Sequence, residues 1–305
     1  MSRQRTGAIA GLLSYVIWGL FPLFWPLLES AGTVEILAHR IVWSLAFLTV
    51  VLAITGGFGW VRTIGRRRLL QLCAASALIT VNWGVFIYAV NSDHVLDTAL
   101  GYYINPLVSV ALGVLVLHER LRARQRTAVA LGTIAVLVLT AEYGRPPWIA
   151  LALACSFGLY GLVKKQVGLE GTESLAVETT LLSLPALAYI VVLQERGDAT
   201  FLTDGAGLSL LLVAGGVVTA LPLILFGVAA IRVPLSTIGL MQYIAPTMHF
   251  VIGAALYGED MPPGRVAGFV IVWLALVLLT VDAVGTLRPR VPAPARVRPA
   301  VPPDA

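Results

Sequence analysis

A few charged side chains stand inside long apolar runs of this sequence. Arg40 follows Glu35 by about one and a half helical turns in the run 34–55. A charge inside hydrocarbon is costly unless it faces a cavity or a partner. Arg40 could therefore anchor an anionic or carboxylate-bearing substrate. The alternative is that Arg40 reaches the outer interface or pairs with Glu35 or Glu178.

Glu35 and His39 are four residues apart and share one helix face. Because histidine titrates near physiological pH, this pair could form a proton relay; the alternative is a hydrogen-bonded histidine near the membrane surface. Glu178 occupies the place in the second half of the chain that Glu35 and Arg40 occupy in the first. It is a candidate counter-ion or proton carrier, so Glu35, His39 and Glu178 are the coupling candidates.

Further polar and aromatic residues are candidates for substrate contact. Asn82 and Trp83 lie midway along the run 69–91. A mid-membrane amide needs hydrogen-bond partners, so Asn82 either faces a cavity, which is the preferred interpretation, or joins two helices. Trp18 and Tyr160 hold matching places in the two halves. Their rings could flank a substrate or simply pack against neighbouring helices.

Two matching segments combine polar side chains with a proline. Proline removes a backbone donor and frees the carbonyl one turn back. Interrupted spans at corresponding places in two halves are the best sequence indication of a transporter site; the alternative is a structural kink at a pseudo-twofold axis. The segments contain Tyr103, Asn105 and Pro106 in the first half and Gln242, Tyr243 and Pro246 in the second.

The composition excludes an ordinary soluble enzyme. Of 305 residues, 58% are hydrophobic and 12% are charged, and the mean hydropathy is +0.88. A soluble fold of this length could not bury that much apolar surface. Cys73 and Cys155 are too few for a disulfide framework. The sequence contains no P-loop, zinc-protease motif or nucleophile–base set, which predicts no cofactor, no metal and no catalytic residue.

Ten apolar runs are long enough to cross a bilayer. Arginines and lysines alternate between their connections, seventeen on one side and three on the other. The positive-inside rule then places both termini in the cytoplasm, and the net charge of +5 indicates topology rather than a nucleic-acid partner. Lys164 and Lys165 are interpreted as cytoplasmic anchors. The predicted spans are 7–28, 34–55, 69–91, 96–117, 127–143, 148–167, 174–194, 208–231, 234–257 and 264–286.

An internal repeat divides the chain. The segment 103–106 recurs at 243–246, and the same shift of 140 carries Glu119 onto Glu259. Since each half has five helices, an odd number, the second half enters from the opposite side. Glu119 and Glu259 are then charges at the boundaries or gates of opposite faces. The predicted units are a first repeat 1–145, a second repeat 146–287 and a disordered cytoplasmic tail 288–305.

Several segments resemble the RarD group of the EamA family, within the drug/metabolite transporter superfamily. The resemblance covers roughly 6–286 and implies an all-α inner-membrane permease with ten helices in two inverted five-helix EamA repeats. Members are commonly labelled chloramphenicol-sensitivity or chloramphenicol-resistance permeases, and the family implies export. The segments are Glu35–Arg40, Asn82-Trp83, Leu100–Leu107, Gln242–Thr247 and Tyr257–Glu259.

These features predict a secondary transporter of a small organic metabolite or drug in the bacterial cytoplasmic membrane. Its partners would be the substrate, the lipid bilayer and protons as coupling ion, and a homodimer is compatible with the pattern. Two alternatives remain, a non-transporting membrane scaffold and an intramembrane enzyme. A scaffold has no use for polar side chains in mid-membrane, and an intramembrane enzyme needs paired catalytic groups at one depth.

Overall fold

A computed structural model describes residues 3–55, 57–91, 95–141, 147–256 and scattered positions between 266 and 281. Every long element within these residues is a helix. Two short 3₁₀ turns, Trp25–Leu28 and Gly59–Thr63, lie between them. The helices are α1 Arg3–Gly19, α2 Phe21–Phe24, α3 Thr33–Thr55, α4 Arg66–Asn91, α5 Val95–Leu115, α6 Ala123–Ala141, α7 Trp148–Val167, α8 Gly171–Arg196, α9 Ala206–Ala230, α10 Leu235–Met241 and α11 Ile244–Leu256.

The helices have the length and polarity of membrane spans. Six segments of the described residues are long and apolar enough to cross a bilayer, and Leu100–Leu115 adds a shorter apolar stretch. Large apolar side chains such as Ile54 and Leu184 stand on the outside of the bundle, 79% and 77% exposed. This surface suits lipid rather than water. The all-α membrane fold is confirmed, while the count of ten spans stays a prediction.

Prolines break two of the predicted spans. Within the predicted span 234–257, α10 ends at Met241 and α11 begins at Ile244. The physical reason is Pro246, which lacks an N–H and whose ring clashes with the carbonyl four residues earlier. In the first predicted span, Pro22 opens α2 and Pro26 opens the 3₁₀ turn that follows it. The predicted interruption at Pro246 is therefore observed. At the matching position, α5 runs unbroken from Val95 to Leu115 through Pro106, so the predicted interruption there is wrong. The expectation of one unbroken helix is wrong for the first span.

Small residues let α9 approach its neighbours closely. A Cβ added at Gly216 would collide with Trp43 on α3. Ser44 Oγ donates a hydrogen bond to the Gly216 carbonyl at 2.8 Å, and Ser14 Oγ on α1 donates to the Pro222 carbonyl at 2.8 Å. Such small-residue contacts and interhelical hydrogen bonds are how helices associate in lipid.

Helices α3 and α8 pack in opposite directions. Ala38 and Ile41 share an apolar cluster with Ala186, while Leu48 lies in a different cluster together with Leu175. The start of α3 therefore lies beside the end of α8. The two charged groups described next, one around Arg40 and one around Glu178, consequently lie at opposite ends of this helix pair.

The last predicted span and the tail fall largely outside the described residues. Only scattered helical positions of 264–286 are described, and residues 288–305, Glu259 and Arg145 lie outside. The predicted division into repeats at 145/146 is likewise not decided by the described helices, and it stays a prediction.

Candidate functional site

Arg40 carries its charge inside the helix bundle. Its Nε donates a hydrogen bond to Thr219 Oγ1 on α9 at 2.8 Å. Its guanidinium carbon lies 4.5 Å from the ring centre of Trp25 and 5.4 Å from that of Trp83. Within the described part of the chain, no carboxylate forms an ion pair with Arg40. Pairing with Glu35 or Glu178, the structural alternative, is therefore wrong.

The break in the first span places Trp25 against Arg40. Pro22 and Pro26 interrupt the regular α-helix, so the segment after α1 continues as the short helix α2 and a 3₁₀ turn that contains Trp25. Opposite Trp25, α9 carries Gly215, where an added Cβ would lie 3.8 Å from Arg40 Cγ and 3.9 Å from the Trp25 ring. Gly215 therefore leaves room beside the cation, in contrast to the tightly packed Gly216.

Tyr102 completes the surroundings of Arg40. It lies within electrostatic reach of the guanidinium, its side chain is 42% exposed, and the neighbouring Tyr103 is 6% exposed. Tyr102 is thus partly exposed near a half-buried cation. We refer to Trp25, Arg40, Trp83, Tyr102 and Thr219 as the Arg40 site.

An apolar groove adjoins the Arg40 site. Its volume is about 220 Å³, and it lies between α3, α4 and α8. Trp83 lines this groove and also lies near the Arg40 guanidinium. Other lining residues include Ile41, Leu182 and Tyr189. A molecule bound at Arg40 would find apolar surface close by.

Glu35 and His39 do not form a direct relay. Glu35 Oε1 accepts hydrogen bonds from the backbone N–H groups of Thr200 at 2.8 Å and Phe201 at 3.2 Å. His39 Nδ1 accepts a hydrogen bond from Trp43 Nε1 at 3.2 Å, and its ring lies 4.7 Å from Phe201. His39 Nε2 is buried with no partner among the described residues. Glu35 thus secures the α8–α9 loop, and His39 keeps one nitrogen available.

Glu178 belongs to a separate buried network. Its carboxylate accepts hydrogen bonds from Lys164 Nζ, Ser174 Oγ and Tyr160 Oη, each at 2.8 Å. The side chains of Lys164 and Glu178 are 1% and 2% exposed. Lys164 is therefore a buried member of a polar network, and its predicted place on the cytoplasmic side stays a prediction. We refer to Tyr160, Lys164, Ser174 and Glu178 as the Lys164 network.

Asn82 joins two helices. Its Nδ2 donates to the Leu153 carbonyl and to Ser156 Oγ, both at 2.9 Å and both on α7. This is the helix-joining role that the sequence left as the second interpretation. Its neighbour Trp83 points to the Arg40 site instead, so the two adjacent residues serve different surfaces.

Trp18 and Tyr160 meet in one aromatic cluster. Tyr160 stacks on Phe226 with ring centres 6.0 Å apart, and Trp18 lies 5.8 Å from both Phe157 and Phe226. Tyr160 is fully buried, while Trp18 is half-buried. The cluster connects α1, α7 and α9, and it touches the Lys164 network through the Tyr160 hydroxyl.

The two proline-containing segments come together at the crossing of α5 and α10. Gln242 Nε2 donates to Ser109 Oγ at 3.1 Å, and Gln242 also lies beside Tyr15. Three buried polar atoms here have no hydrogen-bond partner among the described residues: Asn105 Oδ1, Gln242 Oε1 and Tyr243 Oη. Buried polar atoms normally have partners. The two amide oxygens can therefore accept, and the tyrosine hydroxyl can donate or accept, a hydrogen bond from a ligand or water.

Glu119 fastens the start of α10. Its carboxylate accepts hydrogen bonds from the backbone N–H groups of Leu235 at 2.7 Å and Ser236 at 2.9 Å. Lys165 Nζ lies 3.7 Å from Glu119 Oε1 and donates to the Val233 carbonyl at 2.6 Å. Glu119 thus connects the two halves of the chain. Its repeat mate, Glu259, lies outside the described residues.

Sequence reasoning missed Trp25, Tyr102, Thr219 and Lys164 as members of these sites. One available signal was the repeat, since the shift of 140 pairs Tyr102 with Gln242. Thr219 and Trp25 carry no comparable signal, because each meets Arg40 only through the packing of distant helices.

Comparisons with known proteins agree with a membrane transporter fold. The EamA-like transporter family matches residues 5–141. Protein RarD of Streptomyces exfoliatus is 55% identical over 94% of this chain and 92% of its own length. The uncharacterized transporter YojE of Bacillus subtilis is 42% identical over 93% of this chain and 96% of its own length. A protein crystal structure with 14% identity has a TM-score of 0.70, covering 92% of this chain and 100% of that chain, and thus shares the fold.

Proposed function

Because the chain belongs to the RarD-type permeases of the EamA family, in the drug/metabolite transporter superfamily, we propose that it exports a small organic anion across the bacterial cytoplasmic membrane. Transport is driven by the proton gradient and proceeds by alternating access between two inverted five-helix repeats, with both termini cytoplasmic. The observation that carries the substrate class is Arg40, a half-buried cation without an acidic partner among the described residues.

The chemistry of Arg40 favours a carboxylate. A guanidinium presents its donors as a planar fork that matches the two oxygens of a carboxylate. The Nε of Arg40 donates its hydrogen bond to Thr219. No hydrogen bond among the described residues involves the two terminal nitrogens of the Arg40 guanidinium. An anion bound there would neutralise a charge that the protein leaves uncompensated within the membrane.

The walls of the site favour an anion with an apolar or aromatic body. Trp25 and Trp83 border the guanidinium, Tyr102 lies within electrostatic reach of it, and Trp83 also lines the apolar groove. Aromatic rings stack on flat ligands, while the groove accepts aliphatic groups. The proposed substrate is therefore an amphipathic organic anion rather than an inorganic one.

The packing of the helices supports the two-repeat mechanism. Under the shift of 140, α4 corresponds to α9, and α1 corresponds to α7. Helix α1 packs on α9, and likewise α4 packs on α7. Helix α3 packs on its own counterpart α8, and α5 on its own counterpart α10. When two units are related by a twofold axis in the membrane plane, each contact between a helix of one unit and a helix of the other is expected to recur between the two corresponding helices.

The test is comparative metabolite profiling of cells and medium. It uses a deletion strain carrying no copy, the intact chain, Arg40→Gln, or the exposed control Arg66→Gln, at matched membrane levels. A carboxylate-bearing compound should accumulate in the medium with the intact chain and with Arg66→Gln. Losing the Arg40 charge should reduce this flux about 10- to 100-fold, the value of a charge-assisted hydrogen bond.

Three results would contradict the proposal. Equal flux from Arg40→Gln and from the intact chain would make Arg40 structural. A profile unchanged by the intact chain would favour the scaffold alternative, and a new compound rather than a relocated one would favour the intramembrane enzyme. Chloramphenicol susceptibility of the same four strains tests the narrower assignment suggested by the group's label.

A further inference from the structure

The end of α1 leaves one backbone carbonyl without its usual donor. In a continuing α-helix, the carbonyl of Trp18 would accept a hydrogen bond from the backbone N–H four residues later. That residue is Pro22, which has no N–H. Inside a membrane another protein group must supply the donor, because the hydrocarbon core contains no water to do so. The sequence of α1 thus creates a requirement that its own helix cannot meet.

His249 of α11 supplies that donor. Its Nε2 lies 3.0 Å from the carbonyl oxygen of Trp18. Since a carbonyl can only accept a hydrogen bond, Nε2 must carry the proton. The bond joins two residues that are 231 positions apart in the chain. It therefore replaces, between two helices, the bond that Pro22 removes from within α1.

A glycine lets α11 come close enough for this contact. Gly19 follows Trp18, and a Cβ added at Gly19 would lie 2.5 Å from Sδ and 2.8 Å from Cβ of Met248, the neighbour of His249. Any side chain at position 19 would therefore push α11 away from α1. Small residues permit such close helix packing within a membrane, and here the packing brings the imidazole to the Trp18 carbonyl.

The matching helix of the predicted repeat does not need such a donor. Tyr160 holds the place of Trp18, and Lys164, four residues after Tyr160, has a backbone N–H. Helix α7 accordingly continues from Trp148 to Val167 without interruption. The bond from His249 thus goes together with the break in the first span.

His249 also contacts the Arg40 site. Its ring meets the Tyr102 ring edge-on, with ring centres 6.4 Å apart and planes at 83°. Tyr102 lies within electrostatic reach of the Arg40 guanidinium. Beyond the break, the 3₁₀ turn places Trp25 4.5 Å from the same guanidinium. One imidazole therefore contacts both Tyr102 and the end of the helix that leads to Trp25.

We propose that His249 is a positioning residue of the Arg40 site: its Nε2–H takes the place of the N–H that Pro22 lacks and fixes the end of α1 against α11. This inference rests on the proposed function, in which Arg40 binds a carboxylate. His249 acts through Trp25 and Tyr102, which it holds in place beside the bound anion. Without the donor, these walls would have to be ordered when the anion binds, and ordering on binding lowers affinity.

A double-mutant cycle on the full chain in detergent tests the bond without any ligand. His249→Phe keeps an aromatic ring against Tyr102 but has no donor. The Trp18 carbonyl then loses its partner, and the melting temperature should fall by at least about 2 °C. Pro22→Ala returns an N–H that can serve this carbonyl within the helix. In the Pro22→Ala protein, His249→Phe should therefore lower the melting temperature at most about half as much.

Binding of benzoate, a carboxylate on an aromatic ring, tests the positioning role. Its dissociation constant follows from the rise of the melting temperature with benzoate concentration. His249→Phe should weaken benzoate binding at least about fivefold. His249→Gln, which keeps an N–H donor without the ring, should bind benzoate within about twofold of the parent protein.

Two further variants calibrate the benzoate measurement. Thr247→Val is the matched control on α11, since the Thr247 hydroxyl donates to the Tyr243 carbonyl four residues earlier at 2.8 Å. It should bind benzoate as the parent protein does. Arg40→Gln removes the proposed anion ligand itself and should lose benzoate binding.

Three outcomes overturn the proposal. An equal loss of melting temperature from His249→Phe with proline and with alanine at position 22 would show that the bond to the carbonyl is not what His249 contributes. Unchanged benzoate affinity in His249→Phe would make the bond purely structural. A loss of affinity as large in His249→Gln as in His249→Phe would assign the effect to the ring. Failure of the proposed function looks different: the parent protein and Arg40→Gln would bind benzoate equally weakly, while the melting-temperature cycle would keep its expected form.

Discussion

Two cations within the helix bundle, the buried Lys164 and the half-buried Arg40, have opposite environments. Lys164 is neutralised by Glu178 at 2.8 Å. Arg40 is held by Thr219 and two indole rings and has no described carboxylate. Because one of these cations has an acidic partner and the other has none among the described residues, a charge inside the membrane is not by itself evidence of a binding site. Lys164 neutralises a carboxylate of the protein itself, whereas Arg40 can bind an anionic ligand.

Two acids differ in the same way, although the predicted repeat places Glu178 in the region that corresponds to 35–40. Glu35 accepts hydrogen bonds from two backbone N–H groups of the α8–α9 loop, while Glu178 accepts from Lys164, Ser174 and Tyr160. Glu35 thus joins α3 to the α8–α9 loop, and Glu178 joins α7 to α8. Acids in corresponding regions of the predicted repeat therefore have different partners.

The largest effect should come from Lys164→Met. It leaves the Glu178 carboxylate buried without a counter-charge, which costs about 3–5 kcal/mol of stability. The melting temperature in detergent should fall sharply, whereas the matched Arg40→Met change should lower it far less, because no described acid loses its partner. Lys164→Met/Glu178→Met should recover most of the loss. Equal melting temperatures for the two single variants would remove the distinction between the two cations.

A smaller effect is expected from Gly216→Ala on α9. The new Cβ would strike Trp43 and force α3 away, an overpacking cost of about 1–3 kcal/mol. Gly215→Ala is the control, since its Cβ meets Arg40 only at 3.8 Å. Thermal unfolding should separate these adjacent glycines. If Gly215→Ala destabilises as much as Gly216→Ala, the space beside Arg40 is not open.

The smallest effect is expected from Glu35→Gln. The amide oxygen can still accept both backbone hydrogen bonds, so stability should change by less than about 1 kcal/mol. Thermal unfolding in detergent measures the change. A loss of stability as large as that of Lys164→Met would show that the Glu35 charge itself is needed to hold the α8–α9 loop.

Much of the architecture was visible in the sequence, because a bilayer imposes length and polarity on every span. The helices lie close to the predicted runs, and Arg40 was identifiable as a charge inside an apolar segment. The interruption at Pro246 was predicted from its proline, whereas the break before Trp25 was missed and Pro106 does not break α5. Proline's effect on the backbone is local, but whether a chain bends or ends there depends on the packing around it.

The sequence alone determined the membrane class, the approximate spans, the family and the small set of polar side chains within apolar runs. Only the tertiary structure decided which of these side chains meet. Charge balance in a low-dielectric interior depends on distances of a few ångströms between helices that are far apart in sequence. For that reason the pairing of Lys164 with Glu178, the role of Asn82 between α4 and α7, and the lack of a described acid beside Arg40 could not be obtained from spacing.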